Sequence, residues 1–544
     1  MKAVAWLIVL ASLTTSYQSA GQTPGTPQVT DTIRQVQIIN ADKMSGKKID
    51  STNELVTLVG HVILQDNKTL FYADSTVHNK KLNIVEAFGN VRINDNDSIK
   101  TNSQYLIYYV DRRQAVLKKK VSMTDGKGVL TTEELFYDTQ MKIGTYSNGG
   151  KVVNGKTVLT SREATYYGDL KDVYFKNNVK LKDPAYDLTS DSLLYNTESQ
   201  IATFVTKTLI IDSNKSRILT SDGFYDLKNR NAKFGKRATI IDKSVRVTGE
   251  DIAIDDVTGM FEAVGNAVLV DTAQGISILA NNIKASRQNN TFLATQHPLM
   301  ILRQDQDSIY VTSDTLLAGR LSDLKDYKNP STGQDTIRNT RVVTSGDTTN
   351  RNRYFQAFHN VRIFSDSLQA VSDSLFYSGR DSIFQLFQDP IVWASNKQVT
   401  GDTIYLFTKN KKAERLYVFE NGMLVDKSGE DLFNQIKGNT INGYFRNGDI
   451  DFMRAKGSAE SIYFAKDESN SFVGMNNSNA DVIDMFFNNK QLQRVVFRSE
   501  VTGTTYPMRQ IPEDKRLLRN FKWLENKRPK SKFELFENLP EEEN

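Results

Sequence analysis

The stretch Glu86–Tyr109, EAFGNVRINDNDSIKTNSQYLIYY, contains two short phrases that the chain writes repeatedly. The first, GNVRIND from Gly89, returns as GHVILQD from Gly60 and as HNVRIFSD from His359. The second occupies the segment from Thr101 and returns as TTEELFYD from Thr131, TSDSLLY from Thr189, TSDGFYD from Thr220, TSDTLLA from Thr312 and VSDSLFY from Val371. Around the first phrase apolar residues alternate, as in Val91-Arg92-Ile93, Val121-Ser122-Met123, Val179-Lys180-Leu181 and Val361-Arg362-Ile363. A period of two marks a strand with one face turned inward. The turn-forming runs NDNDS at 94–98, TDGKG at 124–128 and KDP at 182–184 separate one strand from the next.

The two phrases keep a common beat. Thr101, Thr131, Thr160, Thr189, Thr220 and Thr248 open successive copies of the second at intervals near 30 residues, and the first falls about ten residues before each. One repeat is therefore a hairpin of two long antiparallel strands, and about 14 such hairpins follow one another across 38–505. Gly in the first phrase and the small polar Thr-Ser-Asp in the second interrupt the alternation, as residues at a bend or bulge do. Every strand is thus predicted to fold over on itself and serve two facing sheets, giving an all-β, elongated, solenoid-like antiparallel jelly roll. With strands about 4.8 Å apart, the rod extends on the order of 100 Å. Its two ends are strand edges, which invite pairing with another sheet, head to tail with a copy of itself or with a partner of the same build. Thr312 and Val361 lie unusually far apart, so a polar loop within about 320–353 reads as an insertion between two strands.

The termini differ in style. Lys2, the apolar run Ala3–Leu13 and the small residues Ser19-Ala20-Gly21 form an export signal over 1–21, cleaved near Gly21, with an uncleaved anchor as the alternative. Residues 22–37 read as a linker. No other run approaches about 18 consecutive apolar residues, so the mature protein is expected to be soluble. With no cysteine in the chain, disulfides, thiolate metal sites and a cysteine nucleophile are excluded. The tail 506–544 contains IPEDKRLLRNFKWLEN from Ile511, with Leu517, Leu518, Phe521 and Leu524 on one helical face. That pattern predicts a short amphipathic helix, either capping the last edge strand or docking a partner.

Enzymatic chemistry finds no foothold. His61, His297 and His359 sit within the first phrase, where a role at the bend is the simpler reading, and His78 stands apart. Asp42, Asp74, Asp191, Asp222, Asp314, Asp373, Asp402 and Asp481 recur at one repeat position, whereas a catalytic carboxylate is ordinarily unique. A hydrogen bond to the backbone at the bend is the expected role, and the nonapeptide of calcium-binding β-rolls is absent. No catalytic residue, metal or cofactor is assigned. Lys and Arg number 69 against 64 Asp and Glu, a near balance that disfavours nucleic acid as a partner.

The inward pairs of the first phrase are the candidate binding residues: Val62 and Leu64, Val91 and Ile93, Val121 and Met123, Val179 and Leu181, Val268 and Val270, Val361 and Ile363. From the residues alone they fit an ordinary sandwich core as well as an open apolar groove. Alternating G-N-V and A-D-x-x-x-Y phrases behind a signal sequence resemble the OstA-like family, the LptA-type periplasmic proteins of lipopolysaccharide transport. GHVILQDNKTLFYADSTV from Gly60, EAFGNVRIND from Glu86, FKNNVKLKDPAYDLTSDSLLY from Phe175 and FHNVRIFSDSLQAVSDSLFY from Phe358 carry the likeness. The resemblance implies a V-shaped β-jelly roll whose groove holds the acyl chains of lipid A, and a periplasmic location in a Gram-negative envelope. It also implies end-to-end docking with related jelly-roll proteins, including the outer-membrane translocon. This chain has more repeats than the short members and lacks a membrane barrel after about 505, so a bridge rather than the translocon is expected. A secreted scaffold or adhesin with a filled core, and a carbohydrate-active β-helix enzyme, are the competing readings.

Overall fold

Strand Ile84–Asp95 shows how the chain is folded. It runs straight to Phe88, turns through Gly89 and Asn90, and runs on from Val91. Phe88 pairs with Tyr105 and Val91 with Ser103, so two residues face the single Gln104 of the neighbouring strand. Gly89 and Asn90 have φ of 71° and 45°. Left-handed backbone is cheap for Gly and tolerated by Asn, which is why this dipeptide stands at the corner. The two-for-one bulge bends the strand while Val85 and Ala87 before it, and Val91 and Ile93 after it, all face the same buried space. Corresponding register steps occur at Val59/Val62, Lys118/Val121, Lys176/Val179, Val264/Ala267, Phe358/Val361 and Phe419/Gly422.

The structure, a computed structural model, describes residues 34–51, 53–303, 308–324, 352–409, 412–446, 449–488 and 491–537. These form 40 strands of a single antiparallel sheet, folded along its corners into two facing legs with turns along both free margins. The predicted all-β jelly roll is thus the observed fold. One apolar seam fills the space between the legs from Val56 to Phe487. The predicted signal sequence, 1–21, and residues 325–351 of the expected inserted loop lie outside the described residues. The loop's flanks are in place: Thr315–Arg320 pairs with Arg353–Phe364, beginning at Arg320 opposite Arg353. The insertion therefore replaces a turn at the end of one leg. No helix among the described residues is long and apolar enough to cross a membrane.

Both ends of the sheet present unpaired edges among the described residues. Gln37–Asn40 and Lys43–Lys48 pair only with Glu54–Asp66, and Gln491–Arg498 and Thr502–Pro507 only with Phe472–Asn488.

The tail departs from the predicted amphipathic helix. After Pro507 the chain forms a strap of short 3-10 turns, with no α-helix, and runs back over the outer face of one leg. Leu518 is buried while its neighbour Leu517 is exposed. Three glutamines on the sheet hold the strap. Gln435 donates to the Arg516 carbonyl at 2.9 Å and accepts from the Leu518 N–H at 2.8 Å; Gln398 does the same with the Lys522 carbonyl and Leu524 N–H, both at 2.8 Å. The Gln369 carbonyl oxygen receives the Arg528 guanidinium, and Arg362 donates to the Glu534 carbonyl at 2.8 Å. Ile511 and Leu518 pack on Met423, Val425, Ile462, Phe464 and Met475, and Leu524 packs on Val371, Ile391 and Trp393. Main-chain groups that a helix would pair internally are satisfied here by sheet side chains, so the apolar residues spread along the sheet instead of around a helical face.

Candidate lipid-binding groove

The corner ridge is built from both phrases. In the second, the residue before the aspartate points inward at the apex, and its hydroxyl donates to the carbonyl two residues on. Ser190 to Ser192, Ser313 to Thr315 and Ser372 to Ser374 show the pattern at 2.9–3.1 Å, and at the corner before Gly223 the donor stands one residue earlier, Thr220 donating to the Asp222 carbonyl at 2.7 Å. The aspartate points out along the ridge. Its side-chain partner there is a corner side chain of an adjacent strand rather than the expected backbone N–H: Asn90 donates to Asp74 at 3.0 Å, Asn360 to Asp314 and Asn421 to Asp402. His61 and His359 lie 2.9 and 3.0 Å from Asp42 and Asp373, and these hydrogen bonds hold both imidazoles above their usual pKa. His61, His297 and His359 all have left-handed φ, which accounts for their recurrence at the bend. Asp42, Asp74, Asp314, Asp373 and Asp402 thus form a structural ladder, and no cluster suited to a metal ion occurs among the described residues.

Ten of the twelve candidate lining residues face the seam. Val62, Val91, Ile93, Val121, Val179 and Val361 are at most 1% exposed, and Leu64, Met123, Leu181 and Ile363 are buried beside them. Val268 and Val270 are the exceptions: both are half-buried on the outer side, while Ala267 is buried and Leu269 packs against the core. The corner there is Gly265-Asn266, so inward parity begins at Ala267, one residue before the valine. The legs meet along the seam. An apolar void between Leu368, Val392, Val399, Leu416, Phe445 and Ile450 has about 20 Å³, room for roughly one water-sized sphere.

Sequence reasoning missed what closes the mouth opposite the corner. Tyr108 at the end of one leg donates to Asp66 at the end of the other at 2.5 Å, Tyr137 to Asp95 at 2.6 Å, and Tyr166 to Asp125 at 2.8 Å. At the next rung Asn154 stands in place of the carboxylate and donates to the Thr197 carbonyl at 2.6 Å. Farther along the polarity reverses, with Tyr186 donating to Asp256. Burial, reinforced by the facing carboxylate, pushes the phenols of Tyr108, Tyr137 and Tyr166 well above their ordinary pKa, so they remain donors. The signal was present in the sequence as a tyrosine 41 or 42 residues after an aspartate at a strand end.

Asp125 gives this closure a pH dependence. Burial works against its ionisation, but the Gly128 and Lys127 N–H groups, Thr197 and Tyr166 outweigh it, and the carboxyl is held below its usual 3.8. A depressed folded pKa contributes stability that is complete above 3.8 and lost as pH falls through the lower folded value. Asp125→Asn is therefore expected to lower the melting temperature at pH 7, with the gap to wild type closing as pH drops below that point. A gap that persists unchanged in melting curves at pH 2.5 contradicts this assignment.

Residues 34–191 match the family model described as OstA-like protein. Among solved structures, one similar chain is LptH of Pseudomonas aeruginosa, described as the LptA-homologous periplasmic component of the conserved lipopolysaccharide transport device. It is 9% identical, the match covers 26% of this chain and 81% of that one, and the TM-score is 0.19. No curated protein matches the chain. Residues 34–191 are thus an OstA-like segment, and the sheet carries the same plan of bent hairpins on to Pro507.

Proposed function

We propose that this protein is a periplasmic carrier or bridge that shields the acyl chains of lipid A between its legs during lipopolysaccharide transport to the outer membrane. One observation carries the reading. The apolar seam is continuous along the sheet, yet among the described residues the strand pairing that joins the two legs runs only through the corner ridge; at the mouth the legs meet through side chains. The legs can part there without breaking a strand pairing. Each exposed methylene of an acyl chain costs about 0.8 kcal/mol in water, so a carrier must cover the chains along their whole path, as a continuous seam does. The OstA-like segment supports the same assignment. The reading is of a binding protein and not an enzyme, supported by ridge carboxylates that recur and are paired with their neighbours. The unpaired strand edges at both ends suit end-to-end docking with jelly-roll proteins of the same transport system, the outer-membrane translocon among them, or with a second copy.

The close fit of the legs favours a second reading, a secreted scaffold or adhesin whose core is permanently filled. Photoreactive residues placed at Ile93 and Ile363 in cells separate the two. Crosslinks to lipopolysaccharide at these inward positions, and none at the outward Arg92, are expected of the carrier. Their absence at every inward position tested leaves the scaffold.

A further inference from the structure

The turns along the two margins of the sheet differ in chemistry. On one margin the turns that follow Lys48, Asn79, Tyr109, Asp138 and Tyr167 stand side by side, and neighbours are tied through their main chains. The Lys80 N–H donates to the Glu54 carbonyl at 3.1 Å, Val110 to Asn83 at 3.1 Å, Thr139 to Arg113 at 3.0 Å and Gly168 to Lys142 at 3.0 Å. In the last four turns the residue just before the left-handed Asn83, Arg113, Lys142 or Lys171 is exposed: Leu82, Arg112, Met141 and Leu170. Three of these are apolar, as is Ile49 in the first turn; Ile49 is 51% exposed and the other three 60–65%. Side chains at the strand ends hold the tips in place, Asn79 accepting the Leu82 N–H at 3.1 Å and Asp138 the Met141 N–H at 2.8 Å. Successive turns lie about 10 Å apart, so the row covers about 40 Å. Cations stand among the tips. Lys81, Arg112, Arg113 and Lys171 are joined by Lys80 and Lys142, which pair at the surface with Glu54 and Asp169, and Asp50 and Asp111 are the other carboxylates of these turns.

Scattered exposed apolar residues need no explanation. A row confined to one margin does. On the opposite margin the turns 67–68, 96–98, 125–128, 155–156 and 183–185 carry Asn, Asp, Ser, Gly, Lys, Pro and Ala. Among the described residues, no turn of that margin exposes a large apolar side chain. We infer that the first margin is a rail that rests on an anionic lipid bilayer, with Ile49, Leu82, Met141 and Leu170 in the apolar boundary and the basic side chains among the headgroup phosphates. A protein interface concentrates its binding energy in a closely packed central cluster. Single apolar tips set apart, with cations between them, leave gaps that mobile headgroups fill. Because the turns are already held by hydrogen bonds, little ordering is left to be lost on contact. The inference goes beyond the carrier reading and does not rest on it.

An environment-sensitive fluorophore on a single cysteine tests the rail, since the chain has no cysteine of its own. In the full chain, Leu170→Cys carries the label on the rail and Lys156→Cys carries it on the opposite margin, so contact made through the apolar run Ala3–Leu13 is not mistaken for contact by the rail. With vesicles of phosphatidylglycerol and phosphatidylethanolamine, emission at 170 is expected to rise and shift to the blue while emission at 156 stays constant. Ile49→Asn, Leu82→Asn and Met141→Asn combined are expected to raise the lipid concentration for half the change about tenfold. Vesicles of phosphatidylcholine alone are expected to raise it by a similar factor, about tenfold. The three tips are exposed, so the melting temperature of the triple variant is expected to match the parent's. No response at 170, an equal response at 156, or a response that ignores the asparagines overturns the rail. So does a photoreactive residue at Leu170 that captures a protein and no lipid in cells, which assigns the margin to a protein interface. Each of these outcomes leaves the carrier reading standing, because crosslinking at Ile93 tests that separately.

Discussion

Truncation after Pro507 is expected to unfold or aggregate the C-terminal half of the sheet, although it removes no strand. The strap covers Trp393, Val425 and Met475, all fully buried, on the outer face of the sheet. Burying side chains of this size is worth about 1.5–3 kcal/mol each, and exposing them together creates a contiguous apolar patch of the kind that drives association. The expected readouts are a lower melting temperature, strong binding of an apolar dye and loss of monodispersity. The double variant Gln435→Ala and Gln398→Ala tests the same contact with the chain at full length. Each glutamine pairs one carbonyl and one N–H of the strap, and each buried main-chain group left unpaired costs about 1–3 kcal/mol. A truncated chain that remains monomeric with an unchanged melting temperature shows the outer face to be stable bare.

Gly223→Ala is the second change expected to have a large effect. Gly223 has φ +115°, and a Cβ there lies 2.0 Å from the Lys233 carbonyl oxygen and 2.9 Å from the Phe234 Cα, backbone atoms of the strand paired with it. Neither can yield without breaking the ladder. The left-handed backbone alone costs about 1–2 kcal/mol for an alanine, and overpacking adds about 1–3 kcal/mol. Gly126→Ala is the control, since its φ is +84° but nothing lies within 4 Å of the added Cβ. Chemical denaturation of the two variants should show a clearly larger loss for Gly223→Ala; equal losses mean that backbone conformation, not the clash, governs the site.

What could be read from the sequence was whatever repeats. The corner dipeptides and the alternation after them gave the hairpins, the bend and the direction of Val91 and Ile93, because both rest on local stereochemistry. The same reading slipped by one residue at Val268, since the rule belongs to the corner pair: inward parity starts at the residue directly after it, here Ala267, and the valine stands one place farther on. The Tyr137–Asp95 pair escaped because it joins different legs across 42 residues, where no local pattern points from one partner to the other. The strap also left a trace that went unread. Ile391-Val392-Trp393 and Met423-Leu424-Val425 abandon alternation, and a run apolar on both faces announces a strand covered on both sides. A helical reading of the tail failed for a related reason: its apolar spacing was set by the sheet it lies on.

The insertion between Arg320 and Arg353 shows what the bent hairpin makes possible. The strands flanking it pair as neighbours despite the interruption, so adding chain at a margin leaves the register on either side intact. Each bent hairpin contacts chiefly the next, and gaining or losing one changes the length of the molecule by about 10 Å without altering any other joint. Length is therefore an adjustable dimension of this architecture, set by how many units are counted out, much as a ruler is cut to the gap it must measure.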